Sequence, residues 1–359
     1  MNFNDPFFTQ QLITYIGNKR SLLPFLAQGF DAVQKQIGRP MKVLDAFAGS
    51  GCVSRLLKTY ASELTSNDLE EYAQVINSCY LQNEMPDTIV KTISYLNDRW
   101  YSFKHPLHLI AENYAPDDDN KILPGERVFY TTRNAAFIDK VRQEISTFPL
   151  DVQKFLLGPL LVQASINCNT SGVFKGFHKK DGVGHFGGKG ENALSRIKKN
   201  IILQVPLLMQ TDCQIHVTRE DAGLAVKNDS YDMIYLDPPY NQHPYGSNYF
   251  MLNYINQYDP EVKIQSGVSG ITEDWNRSDY NNKKAATALE ELVRDANASF
   301  LLFSYNNEGI IPITDFRAIL EKYGTVEMIE QKYNAYRGSR NLDSRKMHVQ
   351  ELLWVLKKR

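Results

Sequence analysis

The chain has 359 residues, of which 43% are hydrophobic and 23% charged, with a formal net charge of −1. That composition fits a globular protein with a sizeable core, and it excludes a disordered polyelectrolyte or a coat held on nucleic acid by bulk charge alone. Its four cysteines are scattered without a CxxC pair, which argues against a zinc site or disulfide framework, and no apolar run nears the roughly 20 residues that cross a bilayer.

At about 100–200 residues per domain, the length allows about two domains. Met1–Pro6 lacks the basic and then apolar pattern of a leader, so a reducing cytoplasm is the expected compartment. The segment Tyr15-Ile-Gly-Asn-Lys19 precedes an apolar helical stretch starting at Leu22. It reads either as a helix start with exposed charge or as a loop closing over a ligand, with Tyr15 stacking and Lys19 reaching inward. Lys42–Phe47 reads as a buried strand ending in the small-residue turn Ala48–Gly51, with a helix over Val53–Lys58. A second strand, Leu64–Asp68, leads into a helix near Leu69–Gln82. This β-loop-α-β rhythm opens a parallel, doubly wound α/β sheet.

The alternation then stops. From about residue 85 to 205 there are helical patterns near 134–146 and 151–167 and a glycine-rich basic loop, which reads as a second domain inserted into the first. The expected division is therefore 1–84 with 206–359 as one domain, and a mainly helical 85–205 as the other. Strand signals return at Gln214–Val217, Tyr231–Leu236, Phe300–Ser304, Val326–Ile329 and Gln350–Leu356, with helices over 284–296 and 314–323.

Two segments carry chemistry. In Asp45-Ala-Phe47-Ala-Gly49-Ser-Gly51 the glycines let a strand turn abruptly into a helix and let a ligand approach the backbone. A bare GxG also occurs in nicotinamide-binding folds; here Asp68, ending the next strand, is placed to accept from ribose hydroxyls. Asp237-Pro238-Pro239-Tyr240 follows the apolar run Tyr231–Leu236 and presents a carboxylate, a rigid turn and an aromatic ring at the carboxyl edge of a strand, where open α/β sheets bind ligands. Such a group suits an exocyclic amine on a planar base. Asp237 and the Pro238 carbonyl would accept its hydrogens while Tyr240 stacks on the ring. Tyr249 and Phe250, further along, read as the start of a core helix running to Ile255.

Charge distribution adds a substrate. Residues 168–200 carry seven Lys/Arg against two acids, and residues 332–359 carry eight against two. Lys175, Lys179, Lys180 and Lys189, with Arg196, Lys198 and Lys199 after them, read as a phosphate-contacting edge, as do Arg337 and Arg340 before the last strand.

The YIGNK segment, the DxFxGSG turn, Asn67-Asp68 and DPPY occur in this order, with a gap of some 170 residues before the last. In that arrangement the chain resembles the α-group, Dam-like DNA adenine N6-methyltransferases of restriction-modification systems. The resemblance implies a Rossmann-like methyltransferase fold with a mostly parallel seven-stranded sheet, helices on both faces and an inserted DNA-recognition domain. It implies S-adenosylmethionine as cofactor, held by Tyr15, Lys19, Asp45, Phe47, Gly49, Gly51, Asp68 and Asp221, with neighbouring Glu220 as the other choice for the last position. It further implies catalysis by Asp237, Pro238, Pro239 and Tyr240 without a metal, on an adenine flipped out of duplex DNA. A bacterial or phage cytoplasm, a monomer or weak dimer, and a restriction endonuclease acting on the same site complete the expectation. Cytosine N4 methylation makes the same demands on the four residues and stays open, as does a DNA-binding module with an inactive methyltransferase fold. A nicotinamide dehydrogenase leaves the Pro-Pro-Tyr turn unexplained.

Overall fold

Alternation within the strands decides the architecture. Val43, Met233, Tyr235, Phe300, Leu302, Leu353 and Val355 are buried on one face of the sheet. Their neighbours Leu44, Ile234, Leu236, Leu301, Phe303, Leu352 and Trp354 are buried on the other. A sheet covered on both faces needs helices on both, and successive residues then serve different layers. The computed structural model, which describes residues 1–239, 244–334 and 348–359, has this arrangement.

The strands are β1 (Met41–Asp45), β2 (Ala61–Asn67), β3 (Lys179–Lys180), β4 (Val183–Gly184), β5 (Gln214–Thr218), β6 (Tyr231–Leu236), β7 (Ala298–Asn306), β8 (Gly324–Asn334) and β9 (His348–Lys358). Seven of them form one sheet in the order β5-β2-β1-β6-β7-β9-β8, while β3 and β4 make a separate hairpin. The pairings from β5 to β7 are parallel, and β9 runs antiparallel to both β7 and β8. Leu23–Ile37 and Cys52–Leu57 cover one face; Ala285–Asp295 and Ile313–Glu321 cover the other. All seven strands expected for the large sheet are present, with β8 and β9 longer than their apolar cores indicated.

The order matters for the site. From β1 the chain moves outward to β2 on one side, and only much later arrives at β6 on the other. The turns leaving β1 and β6 thus diverge from adjacent strands and leave a crevice between them. Register brings them level: Asp45 pairs with Tyr235, and the Ala46 N–H donates to the Tyr235 carbonyl at 3.1 Å.

Residues 85–205 contain the helices Thr88–Arg99, Leu109–Tyr114, Thr132–Ile145 and Leu150–Ile166. The first two were not foreseen in the sequence. Their apolar side chains join one core with Tyr72, Ile76 and Cys79 of the helix Glu71–Tyr80, and with Phe250, Tyr254 and Ile255 of the helix Phe250–Gln257. Tyr249 and Phe250 are buried there, as read from the sequence. Polar ties cross the same seam. Arg142 donates to the carbonyls of Ile255 and Asn256, and the Tyr258 hydroxyl donates to buried Asp139 at 2.6 Å. Among the described residues no helix is long and apolar enough to cross a membrane.

Candidate active site

The turn after β1 is shaped by glycine. Gly51 has φ +76, and a Cβ there would lie 2.0 Å from Asn77 Oδ1. Asn77 is fixed because its Nδ2 donates to the carbonyls of Gly49 at 3.2 Å and Ala73 at 2.9 Å. The Gly49 N–H donates to Asp68 Oδ2 at 2.7 Å, while Asp68 Oδ1 accepts from the Glu70 N–H at 2.9 Å. Asp68 thereby clamps the β1 turn to the β2 turn. Tyr15 lies over Gly49 and stacks on Tyr249, with ring centroids 4.9 Å apart.

These turns open into a pocket of about 930 Å³, measured out to its mouth and within the usual range for small-ligand sites. Tyr15, Lys19, Asp45, Phe47, Asp68, Asp221, Asp237 and Pro239 all line it, so positions spread over more than 220 residues of sequence converge. Gly49 and Gly51 shape its edge through the turn. Pro238 lies behind it, beside a smaller cavity with Tyr280 and Phe316. Asp221 caps the short helix Ala222–Ala225, accepting from the Gly223 N–H at 2.8 Å, and Glu220 lines the pocket next to it. Tyr240, Arg337 and Arg340 lie outside the described residues.

The pocket's electrostatics are set by burial. Asp45 Oδ2 accepts from Ser54 Oγ at 2.6 Å, but Oδ1 is buried without a donor. Burial pushes the Asp45 carboxyl up to about 7 despite the Ser54 hydrogen bond. An acid in that state is receptive to an ammonium group. Asp237 is raised to about 6, mainly by burial, with the Lys19 ammonium pulling the other way. Lys19, itself 3% exposed, holds Nζ 3.0 Å from Asp237 Oδ1. A carboxylate has about four acceptor sites, so Asp237 keeps capacity to accept from a ligand. Phe47 and Tyr280 meet edge to face at 5.3 Å on the pocket wall. These features fit S-adenosylmethionine: a carboxylate with one open oxygen for its amino group, a glycine turn for close approach and aromatic rings for adenine.

Several contributors escaped the sequence reading. Asn276, Arg277, Ser278 and Tyr280 line the pocket from a segment with no motif, and Glu70 lines it too. Glu351, buried in β9, lies 3.5 Å from Lys19 Nζ. A single acid beside the apolar run Leu352–Leu356 gave no local sign of where it pointed.

Lys175, Lys179 and Lys180 are exposed, the last two on β3. They lie outside the pocket lining, and the loop before Lys175 is tied near it: the Phe174 N–H donates to the Asn248 carbonyl at 2.7 Å, in the short helix that starts at pocket-lining Tyr245. Arg196 differs from the expectation. Its guanidinium donates to the carbonyls of Ile166, Cys168 and Thr170, closing the end of the helix Leu150–Ile166. It is spent on the fold and not on phosphate.

Asp45 and Glu70 near 7, with Asp139 and Asp237 near 6, all lie above ordinary carboxyl values, each chiefly because of burial. The native state then binds more protons than the unfolded chain between about pH 4 and 7, so stability falls as pH rises through that window. The thermal midpoint of the ligand-free protein is expected to rise when pH is lowered from about 7.5 to about 6. Calorimetry showing a steady fall would contradict these burial assignments.

Comparison with known proteins agrees with this geometry. The family model described as D12 class N6 adenine-specific DNA methyltransferase matches residues 15–319. The chain is 30% identical over 356 residues to the Type II methyltransferase M.NlaIII of Neisseria lactamica, covering 96% of this chain and 99% of that one. It is 29% identical over 332 residues to the Type II methyltransferase M.CviAII of Paramecium bursaria Chlorella virus 1, covering 90% and 93%. The modification methylase StsI of Streptococcus sanguinis is 28% identical over 358 residues, which span 96% of this chain but 52% of that longer protein.

Proposed function

The chain belongs to the D12 class of N6 adenine-specific DNA methyltransferases, and from that premise we propose how its residues divide the reaction. The enzyme is a site-specific adenine methyltransferase acting on DNA, built on a Rossmann-like methyltransferase fold. The observation that carries the assignment of roles is the convergence of the β1 and β6 turns on one pocket, with Asp45 and Asp237 both facing it.

S-adenosylmethionine is the proposed donor, supplying a methyl group activated by its sulfonium charge. Asp45 would take its amino group, Asp68 its ribose hydroxyls, and Asp221 with Glu220 the edge of its adenine. Tyr15, Phe47 and the Gly49–Gly51 turn would shape the cavity around it. At the acceptor side, N6 of adenine is a poor nucleophile because its lone pair is delocalised into the ring. Asp237 and the Pro238 carbonyl would accept the two N6 hydrogens, favouring a pyramidal nitrogen with its lone pair available. Pro239 stiffens the turn and Tyr240 would stack on the base. Catalysis then rests on positioning and electrostatics, on a base extruded from the duplex.

Residues 85–205 are the proposed recognition domain, with Lys175, Lys179 and Lys180 on phosphates and Arg337 and Arg340 as a second clamp. A monomer or weak dimer in a bacterial or phage-infected cytoplasm, protecting DNA from a restriction endonuclease for the same site, fits the modification methylases it resembles. The basic loop can be tested by salt dependence. Replacing Lys179 and Lys180 by alanine should flatten the slope of log K against log salt by about two. Arg196→Ala should leave that slope alone and lower the thermal midpoint. An unchanged slope in the double lysine variant would remove the loop from the DNA interface.

The assignment itself is tested by incubating the enzyme with tritiated S-adenosylmethionine and unmethylated duplex DNA, then separating the nucleosides. Label in N6-methyladenine is expected. Label in N4-methylcytosine, or cofactor binding without transfer, would favour the alternatives.

A further inference from the structure

Glu351 is an acid buried behind the catalytic turn, 3% exposed and next to the apolar run Leu352–Leu356 of its strand. Its Oε1 lies 3.5 Å from Lys19 Nζ and accepts a hydrogen bond from Ser304 Oγ at 2.9 Å. The same ammonium stands 3.0 Å from Asp237 Oδ1. Topology produces the group: β7, which carries Ser304, lies between β6, which ends at Asp237, and β9, which carries Glu351. A buried carboxylate is costly unless paired, and a single ammonium facing a single carboxylate would have satisfied Lys19. Here one cation serves two acids.

We propose that Glu351 is a positioning residue for methyl transfer: by holding Lys19 behind Asp237 and sharing its charge, it fixes the Asp237 carboxylate and keeps it a strong acceptor for the substrate amine. The proposal rests on the reading of Asp237 as the N6 acceptor. Among the described residues, four groups bear on Asp237. Lys19 comes from the N-terminal loop and Glu351 from β9, while Asp45 at the end of β1 and the Tyr235 phenol on β6 complete the set. Removing the negative charge of Glu351 leaves the pull of Lys19 on Asp237 undivided, which lowers the pH at which Asp237 protonates.

The test is Glu351→Gln in the full chain, since the amide oxygen can still accept from Ser304. The expected result is a fall in kcat of roughly tenfold or more, with KM for cofactor and DNA within about twofold of wild type. The acid limb of the kcat–pH profile should also move to lower pH. A merely structural role would lower the thermal midpoint and leave the limb and the kcat per active site where they were; that outcome overturns the inference. If Glu351→Gln does not fold, Glu351→Asp carries the test. Reduced kcat at wild-type KM and thermal midpoint supports the inference, and wild-type kcat overturns it. A wild-type enzyme that binds S-adenosylmethionine and leaves DNA unmethylated would instead overturn the underlying reading of Asp237.

Discussion

Asp237→Ala is expected to reduce kcat for DNA methylation by about three orders of magnitude or more while S-adenosylmethionine still binds. Two effects add. The substrate amine loses its charged acceptor, a loss that for oriented groups in water-excluded sites costs about a hundred- to a thousandfold. In addition, Lys19, which stands 3.0 Å from Asp237 in the intact site, is left as a cation beside a nitrogen that becomes positive as the methyl group arrives. Asp237→Asn, which keeps the shape and one acceptor oxygen, should retain more activity than the alanine variant. Single-turnover transfer with enzyme in excess separates this from any change in DNA affinity. Activity within tenfold of wild type in the alanine variant would remove Asp237 from the chemistry. The wild-type profile should show its own signature: Asp237 is a charged acceptor only when ionised, so kcat should fall as pH drops below about 6.

Gly51→Ala should raise the dissociation constant for S-adenosylmethionine by about tenfold or more and lower stability by at least about 1–2 kcal/mol. The backbone at Gly51 is left-handed, with φ +76, and the new Cβ would meet Asn77 Oδ1 at 2.0 Å. That side chain cannot yield freely, because it ties the Gly49 carbonyl to the helix Glu71–Tyr80. The turn must move, and the edge of the pocket moves with it. Gly38→Ala is the control. Its φ is +78 with nothing within 4 Å of a Cβ, so it carries backbone strain without the collision. It should lose stability and keep cofactor affinity. Equal affinities in the two variants, measured by calorimetry, would show that the turn does not shape the cofactor site.

The parts of the molecule that were legible in sequence share one property: their signal is local. Most strands of the large sheet announce themselves as short apolar runs, and glycine at 51 is demanded by a backbone angle. Asp237 stands directly behind the strand that aims it. What was missed depends on partners far away in sequence. Glu351 is unremarkable until β9 docks beside β7 and brings it to Lys19. Tyr280 and Asn276 become pocket walls only when their segment folds back, with Asn276 Nδ2 donating to the Leu69 carbonyl at 3.1 Å. Arg196 has the composition of a DNA contact and the geometry of an internal brace, a distinction that charge counts cannot make. The boundary at residue 85 marks where the β-α rhythm stops. The helices beyond it nevertheless complete a core begun by Tyr72 and Ile76, so a recognition unit over 85–205 would be anchored rigidly to the pocket.

The pocket between the β1 and β6 turns is expected to methylate adenine N6 at a defined DNA sequence. The most direct test is base-resolved sequencing of DNA from a host lacking other methyltransferases, with and without the intact chain and with the Asp237→Ala variant. N6-methyladenine is expected at one recurring sequence motif, present with the intact chain and absent with the variant. Modification on cytosine, or DNA left unmodified by a folded chain that binds S-adenosylmethionine, would contradict that expectation.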